Sequence, residues 1–253
     1  MVIRDNGVPT YLAADIAYHK NKYERGFKKM INIWGADHHG YVARVKAAME
    51  ALGFDADKLE ILLLQMVSLF RNGELVKMSK RTGRAITLNE LIEEVGTDAA
   101  RYFFIMRSLD TQLDFDLDLA TSHSNENPVY YIQYANARIF SIYRQVAENG
   151  DTFDMTWKNV VWNKLQEERE LELIKKISAY PEEIQTAAAD RAPHRIARFV
   201  YELAGLFHAF YNNCHIIQSD KELEEARLAL VTAVQITIAN SLAVLGISAP
   251  EKM

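Results

Sequence analysis

Among 253 residues the chain has one cysteine, Cys214. That excludes an internal disulfide and any zinc module built on several thiolates, and it points to a reducing compartment. Proline is sparse, with five residues, and glycine is uneven: eight of eleven glycines fall in residues 1–107, and only Gly150, Gly205 and Gly246 follow. Apolar runs such as Ile61 to Leu64 stay far below the roughly 18 residues of a membrane span, so no membrane partner is expected. The opening residues lack the apolar segment of a signal peptide. There is no excess of positive charge; a net charge of −5 argues against a broadly basic nucleic-acid binder. What is present, 49% hydrophobic and 25% charged residues, is the composition of a soluble globular protein. Its length fits one large domain or two ordinary ones.

The net charge hides a division. Residues 1–107 carry 16 Lys+Arg and 13 Asp+Glu, or +3; residues 108–253 carry 13 and 21, or −8. Turn residues at short intervals in the first part predict alternating strands and helices. A helix is expected over about Tyr11–Tyr23, a buried strand over Lys28–Trp34, and a helix over about Tyr41–Leu52. Glu60–Phe70 reads as either helix or strand. Asn72-Gly73 predicts a type I′ turn joining Val67–Phe70 to Leu75–Met78. Thr87 and Glu90 have capping-box spacing, and Thr97 or Asp98 is expected to cap the helix that follows. The acidic run Asp110 to Asp118 reads as an ordered linker with Leu and Phe anchors. Beyond it, long amphipathic stretches predict helices at about Asn127–Asn149, Met155–Ser178, Glu182–Asp190, Pro193–Gln218 and Asp220–Leu245, which make a bundle. The expected fold is mixed: a partial α/β, Rossmann-type region over 1–109, then an all-α bundle over 110–253.

Three strings carry chemistry. In Lys77-Met78-Ser79-Lys80-Arg81-Thr82-Gly83-Arg84, four cations fall within eight residues after a hairpin strand. Lysines on such a loop are flexible point charges that can meet a polyphosphate and stabilise charge on a leaving pyrophosphate; the plain alternative is a solvated basic turn. In Gly35-Ala36-Asp37-His38-His39-Gly40, a glycine at a strand end admits close backbone approach, and the following acid can accept from ribose hydroxyls. The alternative there is a metal held by His38, His39 and His19, disfavoured because adjacent histidines on a turn rarely aim at one ion. On a helix, Tyr11, Asp15, Tyr18 and His19 share one face. Asp15 beside aromatic rings can pair bidentately with a guanidinium, or the stripe is a satisfied buried network.

Together these strings resemble class I aminoacyl-tRNA synthetases, whose second signature is KMSK. The stretch Tyr11 to His19, the downstream string Asn127-Pro128-Val129-Tyr130-Tyr131-Ile132-Gln133-Tyr134-Ala135-Asn136-Ala137-Arg138 and the ending Gly246 to Met253 resemble the arginyl-tRNA synthetases in particular. The resemblance implies ATP-dependent charging of tRNA with arginine through arginyl-adenylate, in the cytoplasm. It implies catalytic roles for Lys77 and Lys80 on the ATP phosphates, and ATP contacts at Gly35, Asp37, His38, Val76 and Met78. Tyr11 and Asp15 match the positions that read L-arginine. The helical part would bind the anticodon, with Tyr134 and Arg138 as RNA contacts; Arg191, His194, Arg195 and Arg198 form either a further basic face or a solvated helix end. ATP with its usual Mg counter-ion is implied, and no protein-bound metal is expected.

One departure is large. No His-x-Gly-His string, the first class I signature, occurs in the chain; His38-His39-Gly40 has the wrong order. The sequence reads as a truncated piece or gene fragment, expected not to charge tRNA alone and to self-associate through an exposed sheet edge. A cysteinyl-type synthetase would need zinc-binding cysteines. A rival of another class is a non-catalytic tRNA-binding or adaptor module derived from a synthetase.

Overall fold

The computed structural model describes residues 2–76, 86–150 and 156–253. Two compact units divide the chain by packing: Met1–Val67 with Leu109–Leu113, and Ser68–Ser108 with Asp114–Met253. The division by packing thus falls earlier than the division by composition.

The first unit is a βαβ arrangement preceded by a helix. Helix α1 (Tyr11–Glu24) leads to strand β1 (Met30–Gly35), helix α2 (His39–Ala51) and strand β2 (Leu59–Leu64). Strands β1 and β2 pair in parallel, from Met30 opposite Leu59 to Gly35 opposite Leu64. The stretch from Glu60, ambiguous in sequence, is therefore a strand at its start. Met30, Val45, Met49 and Leu59 form a small core, with Leu12, Ile16 and Tyr41 packed against it. Alternation along β1 sends Met30 and Asn32 inward and leaves Ile31 and Ile33 exposed.

In the second unit, strand β3 (Val67–Arg71) turns at Asn72-Gly73 into β4 (Glu74–Leu75). Asn72 and Gly73 both take positive φ, 53° and 74°, as the type I′ turn requires. Helices α3 (Leu88–Val95) and α4 (Thr97–Ile105) follow, then strand β5 (Leu113–Asp116) and the short helix α5 (Leu117–Thr121). The sheet order is β4-β3-β5. Thr87 and Glu90 form the expected capping box on α3. The expected cap of α4 is corrected: Gly96, at φ 81°, precedes the helix without a side-chain cap, and Asp98 instead accepts from the Ser248 backbone N–H at 3.1 Å. The acidic run contains a strand, because Leu113 and Phe115 alternate inward between exposed aspartates and period two is satisfied.

The rest is helical: α6 (Pro128–Glu148), α7 (Glu168–Ser178), α8 (Tyr180–Ala189), α9 (His194–Asn213) and α10 (Lys221–Leu245). Helices α6, α7, α9 and α10 pack on one another as a bundle. Two expected helices are too long. In the described part of 155–178, Trp157 has φ 55° and only a short 3-10 turn, Trp162–Lys164, precedes α7. Helix α7 starts late because Glu170 reaches back to accept from the Glu167 N–H at 2.9 Å. Helix α9 ends at Asn213, where Cys214 is extended and the His215 carbonyl is taken by Arg227 Nη1 at 2.7 Å.

Helix α10 is long and apolar enough to cross a bilayer by length and composition alone. Thr232, Gln235, Thr237 and Ser241 interrupt its apolar run. In the fold it is a core helix, with Ala226, Leu230, Val234, Ile238 and Leu242 buried. Each such aliphatic side chain larger than alanine contributes about 1.5–3 kcal/mol by leaving water. The helix is stopped by Gly246 at φ 69°, where a Cβ would stand 2.5 Å from Arg101 Nη2. Arg101 Nε meanwhile donates to the Leu245 carbonyl at 2.9 Å, so a Cβ at this left-handed position would displace that guanidinium as well as strain the backbone. One buried ion pair ties α7 to α10: Arg227 Nε lies 2.6 Å from Glu170 Oε1, with both side chains nearly inaccessible.

Candidate functional sites

The first unit holds a cleft of about 640 Å³ beside the carboxyl end of β1. Tyr11, Asp15, Tyr18 and His19, the four residues that share a face of α1, all line it, as do Trp34, His38 and Tyr41. Their spacing of four, three and one residues is what a 3.6-residue helical repeat brings onto one stripe.

Asp15 is half-buried and held twice. Tyr41, on α2, donates its hydroxyl to Asp15 Oδ2 at 2.8 Å. Behind it, His19 Nδ1 lies 2.7 Å from the Asp15 carbonyl oxygen. A carbonyl only accepts, so His19 carries its proton on Nδ1 and its Nε2 accepts. Asn32 Nδ2 supplies that second bond at 2.5 Å, and Lys22 Nζ donates to Asn32 Oδ1 at 3.2 Å. His19 and Asn32 are buried and line the cleft, so this polar chain forms part of its wall with its donors and acceptors matched. The Tyr41 phenol is pushed up to about 12, chiefly by burial and then by its hydrogen bond to Asp15, with Arg44 working the other way. Asp15 therefore presents a carboxylate among aromatic rings, the surroundings a guanidinium fits.

Gly35, Asp37 and His38 sit where β1 turns through the short 3-10 helix Ala36–His38 into α2. A Cβ on Gly35 would stand 2.7 Å from Asp37 Oδ1, so glycine lets the Asp37 carboxylate fold back over the strand end. Asp37 and His38 are exposed and lie 3.8 Å apart. His38 faces the cleft, edge-on to Trp34 and Tyr41. Among the described residues no group of three His, Cys, Asp or Glu is gathered as a metal site. Val76, half-buried, extends the hairpin by donating its N–H to the Leu69 carbonyl at 2.8 Å. Lys77, Met78 and Lys80 lie outside the described residues.

The second unit carries an aromatic groove of about 630 Å³ between α6 and α9. The rings of Tyr130 and Tyr134 are nearly parallel, 8° apart at 6.0 Å, and His208 lies 5.9 Å from Tyr134 at 27°. Arg138 Nη2 donates to the Tyr134 hydroxyl at 2.6 Å. Its guanidinium sits 4.6 Å from the ring centroids of both Tyr134 and Tyr211. Burial pushes the His208 imidazole below its usual value and Arg138 adds to this, while the hydrogen bond to the Tyr131 carbonyl opposes it. Flat rings and a stacked guanidinium at one groove are surfaces on which unstacked bases can lie.

The other basic cluster is different. Arg195 is paired with Glu183 at 2.8 Å, and Arg198 and Lys176 both reach Glu202, at 2.8 and 2.6 Å. Arg191 donates to the Ala188 carbonyl. Of these ion pairs only Arg198 and Glu202 share a helix; Arg195 meets α8 and Lys176 meets α9, so these cations tie α7, α8 and α9 to one another.

Reading residues in order missed Tyr41, Asn32 and Lys22 in the first site and Tyr130, His208 and Tyr211 in the second. Tyr130, four residues before Tyr134 and eight before Arg138, was visible as a helical stripe. The others reach their sites from separate elements, and no local spacing announces that.

Residues 132–253 match the DALR anticodon binding domain family. The whole chain is 58% identical over 253 residues to an arginine–tRNA ligase of Carboxydothermus hydrogenoformans and 57% identical to one of Desulforudis audaxviator, covering 45% of each. A solved structure from Campylobacter jejuni, described as an arginyl-tRNA synthetase, matches all of this chain at 41% identity with a TM-score of 0.88, over 54% of its own length. The arginyl-tRNA synthetase of Thermus thermophilus, 24% identical with a TM-score of 0.78, covers all of this chain and half of its own, and shares the fold. The chain thus spans about half the length of these relatives or less. From its first residue to its last, it corresponds to the carboxyl-terminal part of arginyl-tRNA synthetases, with their anticodon-binding domain in its helical half.

Proposed function

We propose that the chain is the portion of an arginine–tRNA ligase that holds the side chain of L-arginine, contributes to ATP binding and grips the anticodon region of tRNA in the cytoplasm. The observation that carries this reading is the Asp15 carboxylate, fixed by Tyr41 in an aromatic cleft at the end of β1. In this reading Tyr11 and Asp15 take the guanidinium. Gly35, Asp37 and His38 take the ribose of ATP, and Val76 and Met78 take its adenine. Lys77 and Lys80 stabilise the phosphates as pyrophosphate leaves, with Mg travelling on the nucleotide. Tyr134 and Arg138 stack on splayed bases of the anticodon loop. The adenylation site lacks the His-x-Gly-His signature, so the chain alone does not charge tRNA. The second edge of β1, which pairs with no strand among the described residues, favours self-association, which concentration-dependent sedimentation would register.

The aromatic groove also favours a second reading, a tRNA-binding module without catalysis, because it needs nothing from the first unit. Filter binding of arginine-acceptor tRNA against other tRNAs, over a range of salt, tests the RNA half common to both. Salt-sensitive binding that prefers the arginine acceptor is expected; no binding at low salt would remove both readings.

A further inference from the structure

We infer that Tyr41 is a positioning residue for the ligand guanidinium: its hydroxyl fixes the rotamer of the Asp15 carboxylate, so that one carboxylate edge faces the cleft. This rests on the proposed reading of Asp15 as the guanidinium partner.

An aspartate on an exposed helix face has several rotamers of similar energy. Here the main chain and the side chain of Asp15 are restrained from opposite sides. His19 Nδ1 binds the Asp15 carbonyl, and Tyr41 binds Oδ2. The two restraints come from different elements, α1 itself and α2, so the carboxylate is referred to the β1–α2 framework and not only to its own helix. Tyr41 is in turn fixed by its ring, which packs on the core around Val45 and Met49 and lies 5.8 Å from Trp34. Its hydroxyl donates to Asp15 and so leaves the remaining carboxylate lone pairs for a ligand. A bidentate pair with a planar guanidinium depends on the carboxylate plane, whereas a single ammonium contact does not. Fixing that plane therefore favours arginine over an ammonium-bearing analogue such as lysine.

The test uses the 253-residue chain, with L-arginine and L-lysine as probes in calorimetric titration, on wild type, Tyr41→Phe and Asp15→Asn. Tyr41→Phe keeps the ring and removes one oxygen. Arginine affinity is expected to fall about tenfold, the loss typical of one hydrogen bond to a charged group. Weak lysine binding should stay unchanged, so selectivity narrows; general loosening of the fold would weaken both ligands together. A ligand-free readout is the Tyr41 phenol, which should ionise at lower pH in Asp15→Asn. Arginine binding to Tyr41→Phe as to wild type, with Asp15→Asn inactive, overturns the role of Tyr41 and leaves the reading of Asp15 standing. Absence of arginine binding by wild type, or full binding by Asp15→Asn, overturns that reading and the Tyr41 role with it.

Discussion

Arg138 lies with its guanidinium 4.6 Å from the ring centroid of Tyr211, a residue of α9. It also stacks on Tyr134 and donates to that hydroxyl, so its plane is fixed before any ligand arrives. Lysine cannot reproduce this, because an ammonium has no plane to stack. Both Arg138→Ala and Arg138→Lys should therefore weaken tRNA binding, by about tenfold for the loss of one stacking platform. Arg138→Ala alone should also flatten the salt dependence of binding, which filter binding at several salt concentrations would show. An Arg138→Lys variant with wild-type affinity would mean that only charge matters at this position.

The ion pair between Glu170 and Arg227 is buried on both sides. Removing one partner strands the other without water. Glu170→Leu or Arg227→Met should each cost about 3–5 kcal/mol of stability, while the double variant should recover much of that loss, since a well-packed apolar pair is often as stable as a buried ionic one. Urea unfolding of the three variants measures the coupling. Additive losses in the double variant would argue that the two side chains do not act as a pair.

His208 gives the helical unit a defined pH dependence. Its folded imidazole titrates below the ordinary value near 6.5. Above about pH 6.5 the group is neutral in folded and unfolded chains alike, and its contribution is fully present. As pH falls below that value, the unfolded chain takes up a proton that the folded one refuses, so stability declines until the lower folded value is reached. Thermal unfolding between pH 7 and pH 5 should show a fall that is reduced in His208→Gln. An equal fall in both proteins would assign the acid sensitivity elsewhere.

Local rules made much of this molecule readable. The helix face of Tyr11, Asp15, Tyr18 and His19 follows from periodicity alone, and all four line one cleft. The Asn72-Gly73 turn and the Thr87–Glu90 capping box follow from backbone chemistry that a few residues determine. What stayed hidden depends on distant partners. Tyr41 reads as an ordinary helix residue until the fold brings it to Asp15. The end of α9 is set by Arg227 taking the His215 carbonyl, which helical periodicity cannot encode, whereas the start of α7 rests on Glu167 and Glu170, a spacing as local as that of Thr87 and Glu90. Hidden in the same way as the end of α9 is the pairing of Arg195, whose charge looks available in sequence and is met by Glu183 of α8 in the fold.

In the proposed reading Asp15 holds the guanidinium of L-arginine for a ligase, and the relatives matched run to about twice the length of this chain. The most direct measurement is arginine-dependent ATP–pyrophosphate exchange by the chain alone, by the chain joined to a polypeptide matching the remaining length of a relative, and by that joined protein carrying Asp15→Asn. Exchange is predicted only in the joined protein with Asp15 intact. Exchange by the chain alone, or undiminished exchange in the joined Asp15→Asn protein, would contradict the account.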